Sequence, residues 1–144
     1  MPTMQDLQDE LDELNTRFPR PDLTLKMGSI YNLRTQYKET FPASEQPGVY
    51  GLIAEDAVEV LRIGKAKCLG KRLGNYFKYE DRQLGRGRAK QTVYDGVHYI
   101  VTIPLPLGRA FEVHSIEAFL LSKMRPRLNS IFELEAYEDV VAEL

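Results

Sequence analysis

The chain contains no tryptophan, one cysteine and two histidines in 144 residues. It also has no apolar run approaching the ~20 residues needed to cross a bilayer. A single cysteine, Cys68, excludes an internal disulfide, and with only two histidines it cannot build a multi-ligand zinc cluster. An unpaired thiol suits a reducing compartment, so a cytoplasmic location and no membrane partner are expected. Acidic residues come early and no apolar stretch precedes them, so no secretory leader is expected. There is no internal repeat or low-complexity tract. At 43% hydrophobic and 28% charged residues the composition is that of one ordinary globular domain, able to bury a core without staples.

There is also little net charge, only −2, which by itself disfavours a polyanionic partner. The distribution says otherwise. Residues 1–16 carry Asp6, Asp9, Glu10, Asp12 and Glu13 and no base, for −5. Residues 133–144 carry Glu133, Glu135, Glu138, Asp139 and Glu143, again −5. Between them, the 29 residues 62–90 hold Arg62, Lys65, Lys67, Lys71, Arg72, Lys78, Arg82, Arg86, Arg88 and Lys90 against Glu80 and Asp81, for +8. Charges more than about 10 Å apart are largely screened, so a polyanion meets the local block and not the average. Tyr76, Phe77 and Tyr79 interleave the block, which suits stacking on bases and suits a core equally well.

Leu7, Leu11, Leu14 and Phe18 fall on one helical stripe and predict an amphipathic helix over 5–18, ended by Pro19 and Pro21. Ile30, Tyr31, Leu33, Tyr37 and Phe41 predict a second helix before Pro42. Two apolar runs, 48–54 and 58–64, separated by Glu55, Asp56 and Ala57, read as a hairpin of buried strands. Leu69, Leu73 and Phe77 at four-residue steps predict a helix over 66–77, and the glycine- and arginine-rich stretch 80–92 a loop or a frayed helix. The β-branched run 97–103 predicts a third strand. A helix from Ala110 to Lys123 turns Ile116, Phe119 and Leu120 inward, and the tail from Glu133 forms a last, acidic helix packed on the same domain. The expected fold is thus α+β: a small three-stranded antiparallel sheet flanked by helices. Residues 1–43 form an N-terminal extension, 44–132 the central domain and 133–144 the acidic end. The apolar stripe of the first helix must be buried in this domain or in a second copy, so self-association is one option.

Among candidate sites, residues 64–72 imitate a phosphate-binding loop but have five residues between the glycines instead of four. Arg72 also stands where the metal-binding Ser or Thr belongs. His114 lies three residues from Glu117 on one helix face, a spacing that can join two ligands but more often marks a surface histidine. His98 reads as a packed strand residue and Cys68 as helix packing. Glu117, among inward-facing apolar residues, needs a partner or a metal.

The order of particular residues adds more. Gly48-Val49-Tyr50 is followed, after a hairpin-sized gap, by Arg62-Ile63-Gly64. Arg72 lies ten residues beyond Arg62, Tyr76 four further on, and Glu117 twelve before Asn129, which ends the turn Pro126-Arg127-Leu128-Asn129. In these positions and intervals, over 82 of 144 residues, the chain resembles the GIY-YIG nuclease family. Its pattern is most similar to the incision domain of the bacterial excision-repair nuclease. The resemblance implies a divalent-metal-dependent DNA endonuclease. Tyr50 would act as base or water-orienting group, with Lys65 and Arg72 nearby to favour its phenolate, and Arg72 would stabilise transition-state charge. Tyr76 would assist at the same phosphate, and Glu117 would be the one protein ligand of a single Mg²⁺ or Mn²⁺. Gly48, Gly64 and Asn129 would support the site, and Lys67, Lys71, Lys78, Arg82, Arg86, Arg88 and Lys90 would hold the nucleic acid. DNA is the implied partner, with its strandedness open. Singly, each residue has an ordinary structural explanation; the order and spacing favour a site.

One position departs from the family, whose second signature begins with tyrosine where this chain has Arg62. An arginine cannot act as an acid or base near neutrality, but it can hold a phosphate oxygen. Two outcomes are therefore expected: a tuned enzyme, or a catalytically weakened module that binds nucleic acid or a partner protein. In either case the acidic ends would limit indiscriminate binding.

Overall fold

The computed structural model describes residues 1–78, 88–130 and 133–134. Helix α1 (Met4–Arg17) starts with a reciprocal capping box: the Thr3 hydroxyl accepts from the Asp6 amide, and the Asp6 carboxylate accepts from the Thr3 amide. Strands β1 (Tyr31–Asn32), β6 (Val97–Pro104), β2 (Gly48–Ala54) and β3 (Val60–Ala66) form one antiparallel sheet in that spatial order. Helix α2 (Leu69–Tyr76) follows β3, and a two-residue ribbon pairs β4 (Phe77–Lys78) with β5 (Arg88–Ala89). A 3₁₀ turn over Leu107–Glu112 leads into α3 (Val113–Met124).

The two central strands are buried on both faces because each face carries its own core, and side chains alternate between them. Val49, Ile53, Ile63, Val101 and Ile103 face Leu7, Leu11 and Leu14 of α1 and Ile116, Phe119 and Leu120 of α3. Tyr50, Leu52 and Ile100 face Leu69 and Leu73 of α2, Phe77, and the aromatics Tyr31 and Phe41. The leucine stripe of α1 is therefore buried within the chain's own core.

The expected three-stranded sheet has a fourth member, since β1 is a two-residue strand too short to show a period. The helix expected before Pro42 is absent. Its aromatics serve the core instead: the rings of Tyr31 and Phe41 lie 5.0 Å apart, and the Tyr31 hydroxyl reaches the Gln36 and Glu39 carbonyls at 2.7 and 3.0 Å. The stretch expected as a loop over 80–92 contributes β5, and residues 79–87 lie outside the described residues. α3 begins three residues later than expected, after the 3₁₀ turn, and ends where Arg125 takes a left-handed φ of 48° before Pro126. Of the acidic end, only Glu133 and Leu134 are described, both helical.

Among the described residues β3 is an edge strand; the Val60 amide at its start donates to the Pro2 carbonyl at 2.9 Å, and farther along no strand covers its open side. The Asn129 carboxamide covers it there, accepting from the Ile63 amide at 2.9 Å and donating to the Ile63 carbonyl at 2.8 Å, while the Leu128 amide donates to the Leu61 carbonyl at 2.9 Å. This docking seats the segment after α3 beside the edge strand.

Candidate active site

Where α2 on one face of the sheet and α3 on the other overhang β3, a cleft of about 710 Å³ opens. Arg62, Gly64 and Lys65 of the edge strand, Lys67, Lys71, Arg72, Phe111, His114, Glu117 and Glu133 all contribute to its lining. Two glycines make the arrangement possible. A Cβ on Gly48 would sit 2.4 Å from the Ile103 carbonyl oxygen, where neighbouring backbone cannot yield. A Cβ on Gly64 would lie 2.2 Å from the Tyr50 hydroxyl, because Tyr50, directly opposite in the β2–β3 register, lays its ring across that position.

Tyr50 is fully buried and is not part of the cleft lining. Its hydroxyl donates to the Tyr76 hydroxyl at 2.9 Å. Tyr76 is flanked by the guanidinium of Arg72 at 5.6 Å and that of Arg62 at 5.9 Å from its ring centre, and by the Tyr94 ring edge-on at 4.9 Å. Arg72 also hydrogen-bonds Tyr50, and that bond is the main reason its pKa is raised. Burial, together with the neighbouring Tyr76, pushes the Tyr50 phenol above its ordinary pKa, and Arg72 and Arg62 only partly oppose this. The direction is opposite to the phenolate expected from nearby cations, because desolvation outweighs them.

Arg62 points into the cleft, and its two terminal nitrogens grip the two Glu133 oxygens at 2.9 Å each. Glu133 also accepts from the Asn129 side chain at 3.2 Å and closes a capping box with Ser130, at 3.0 and 3.1 Å. Burial alone would lower the Arg62 pKa and raise that of Glu133. Burial is the largest single influence on each, but their mutual hydrogen bonds and charge attraction, with the Ser130 and Asn129 bonds to Glu133 and the neighbouring tyrosines at Arg62, together outweigh it, so Arg62 is held above and Glu133 below the ordinary value. The Arg62 Nε is buried and has no hydrogen-bond partner.

Across the cleft, the Lys65 ammonium lies 2.7 Å from His114 Nδ1 and 3.7 Å from the buried Glu117 carboxylate. An ammonium can only donate, so Nδ1 is the accepting nitrogen of His114. Among the described residues, no three His, Cys, Asp or Glu side chains group closely enough to hold a metal alone. One hard carboxylate on a cationic wall fits a Mg²⁺ or Mn²⁺ ion that takes most of its ligands from water and phosphate.

The α2 N-terminus is not a phosphate cradle. The Leu69 and Gly70 amides are taken by the Gln46 and Ser44 carbonyls at 2.9 and 2.8 Å, and the Cys68 thiol donates to Ser44 at 3.1 Å. His98 is packed, as expected for a strand residue, and bonds Arg34 at 2.6 Å.

The structure thus brings Arg62, Lys65, Lys67, Lys71, Arg72 and Glu117 to one cleft and sets Tyr50 and Tyr76 behind it. Of the remaining expected basic residues, Lys90 is exposed after β5, and Lys78 and Arg88 are placed by their backbone in β4 and β5. Arg82 and Arg86 lie outside the described residues. Sequence reasoning assigned no site role to Glu133 or Phe111. The Ser130-x-x-Glu133 spacing of a capping box was a readable signal for the first; nothing local marked the second.

Fold and site together define a small α+β domain with a basic cleft at a sheet edge and one buried carboxylate in its wall. The chain is 30% identical over 107 residues to UvrABC system protein C of Wolbachia sp. subsp. Brugia malayi, covering 74% of this chain and 16% of that protein. It is 33% identical over 89 residues to the Clostridium novyi protein of the same name, and 27% over 89 residues to that of Thermoanaerobacter sp. strain X514. Those two matches each cover 62% of this chain and 13% and 14% of the relatives. The chain therefore spans about a sixth or less of the length of these relatives. No family model and no solved structure matches it. Among the described residues, no helix is long and apolar enough to cross a membrane.

Proposed function

We propose that the chain is a metal-dependent DNA endonuclease that hydrolyses phosphodiester bonds in the cleft at the edge of β3. The observation that carries this reading is the convergence of Arg72, Lys65 and the buried Glu117 on one cleft, in the order and spacing of the GIY-YIG nucleases. Similarity to segments of proteins named UvrABC system protein C supports it.

In this reading Lys67 and Lys71 on the cleft wall hold the strand by its phosphates. Arg72 donates to the non-bridging oxygens as charge builds on them, a kind of contact whose removal costs roughly 3–4 kcal/mol in other enzymes. Lys65 orients the Glu117 carboxylate, which would hold the one divalent ion; when bound, that ion neutralises charge on the phosphate and the departing oxygen. Tyr50 and Tyr76 form a hydrogen-bonded phenol pair behind Arg72. Tyr76 is the partly exposed member, and the buried Tyr50 donates to its hydroxyl and fixes its orientation.

The test is incubation of plasmid and single-stranded DNA with Mg²⁺ or Mn²⁺, beside Arg72→Ala. Cutting that needs the metal and falls at least 100-fold in the variant is expected. No cutting by the wild type, or equal cutting by the variant, refutes the reading.

The Arg62–Glu133 pair favours a second reading, a module that binds nucleic acid or a protein and has lost much of its cutting. Here the position occupied in the family by a hydroxyl is tied up in an ion pair. Arg62→Tyr separates the two. A large gain in cutting supports the weakened module, and a loss places Arg62 in the working mechanism.

A further inference from the structure

Phe111 is 77% exposed and Leu107, one 3₁₀ turn before it, 73%. A single exposed apolar residue is ordinary on a protein surface. Phe111, however, lines the cleft whose other walls carry Lys65, Lys67, Lys71 and Arg72, and it belongs to neither core layer. Its backbone is also held firmly. Glu112 next to it is paired with Arg20 and, at 3.0 Å, with Arg109, and Arg109 reaches on to Asp22. The turn is thus clamped by an ion-pair network to the segment after α1, and the ring is held at the cleft mouth instead of folding onto the core. A rigid aromatic face beside a row of phosphate-binding cations matches the two parts of a nucleotide: a flat π-surface and an anionic backbone.

We propose that Phe111 is a stacking platform for one unpaired nucleobase next to the phosphate held in the cleft, so that the site prefers strands whose bases are already out of a duplex. This rests on the reading of the cleft as a nucleic-acid site. A base inside a duplex has both faces covered by its neighbours, so only a single-stranded, flapped or flipped nucleotide can offer one to the ring.

Because the chain contains no tryptophan, Phe111→Trp supplies a reporter at this position alone. Without divalent metal, titration with a mixed-sequence single-stranded oligonucleotide should quench its emission. An abasic oligonucleotide of equal length, bound through its phosphates, should leave the emission nearly unchanged. In parallel, Phe111→Ala should weaken binding of the base-containing strand about ten-fold or more and leave abasic binding unaltered, whereas Arg72→Ala should weaken both. Phe111 is exposed, so these variants should retain the wild-type melting temperature.

If Arg72→Ala weakens binding and Phe111→Ala does not, the platform is refuted and the cleft reading stands. If the wild type binds neither oligonucleotide, the cleft reading fails and the platform with it. Emission that follows protein concentration but not DNA would assign Phe111 to a contact between copies and overturn the proposal.

Discussion

With both oxygens at 2.9 Å from Arg62, Glu133 supplies the counter-charge of a guanidinium whose side chain is only 10% exposed. Removing one partner of a fully buried pair strands the other charge at a cost of roughly 3–5 kcal/mol, and because Glu133 is itself 31% exposed the cost here falls below that range. Glu133→Gln should lower unfolding free energy by about 2 kcal/mol at pH 7, read by urea denaturation. The pH dependence has a definite sign. The Glu133 pKa is lower in the folded chain than its ordinary 4.5, so the stabilisation is complete above that value and is lost as pH falls through the folded value. The gap between wild type and variant should therefore close on acidification below about pH 4; a gap that stays constant would show that the ion pair is not its source. At this scale the sequence singled out Arg72 and Glu117, which the structure brings to one cleft, because the spacings from Arg72 to Tyr76 and from Glu117 to Asn129 follow single helices and a fixed turn. It could not show that Arg62 would meet Glu133, 71 residues away, since that pairing depends on how the segment after α3 docks on the sheet edge. Nor could it show that desolvation would decide the state of Tyr50.

The β2–β3 hairpin turns through Ala57, whose φ of 61° is left-handed. A residue with a Cβ pays roughly 1 kcal/mol or more there, while glycine enters freely but loses more entropy on folding. Ala57→Gly should on balance raise stability by about 0.5 kcal/mol, seen as a melting temperature about 2 °C higher with the cleft unaltered. A lower melting temperature would mean that the Ala57 side chain makes contacts that compensate for the strain. Elements with a strong period (α1, α2, α3 and the three long strands) were legible in the sequence to within a few residues. The two-residue β1 and the ribbon of β4 and β5 were not, being fixed by tertiary pairing and not by any local pattern. The aromatics of residues 30–41 misled for the same reason: their spacing fits a helix, but the Tyr31 and Phe41 rings fill the second core layer. Asn129, expected to orient a turn, does so by standing in for the missing neighbour of an edge strand.

Across the whole molecule, net charge conceals three blocks, and the cleft gathers part of the middle one into a single concave surface. Binding of DNA should therefore be strongly salt-dependent despite the acidic pI. Replacing both Lys67 and Lys71 by alanine should reduce the slope of log affinity against log salt by about 2, uniformly across sequences. An unchanged slope would place the phosphate contacts elsewhere. The acidic end now divides into two roles that its composition did not separate. Glu133 is an internal counter-ion of Arg62, whereas Glu135 and Glu138 lie outside the described residues. If the screening role expected from their charge holds, neutralising those two should raise non-specific affinity at low salt.

The most direct measurement is a paired one on Glu117→Gln, comparing the rate of metal-dependent strand cleavage with the affinity for the same strand. Loss of cleavage by at least 100-fold with affinity kept within a few-fold of wild type is the predicted result, because in the proposed reading the carboxylate holds the metal while Lys67, Lys71 and Arg72 hold the phosphates. Cleavage at the wild-type rate would contradict the placement of the active site in this cleft.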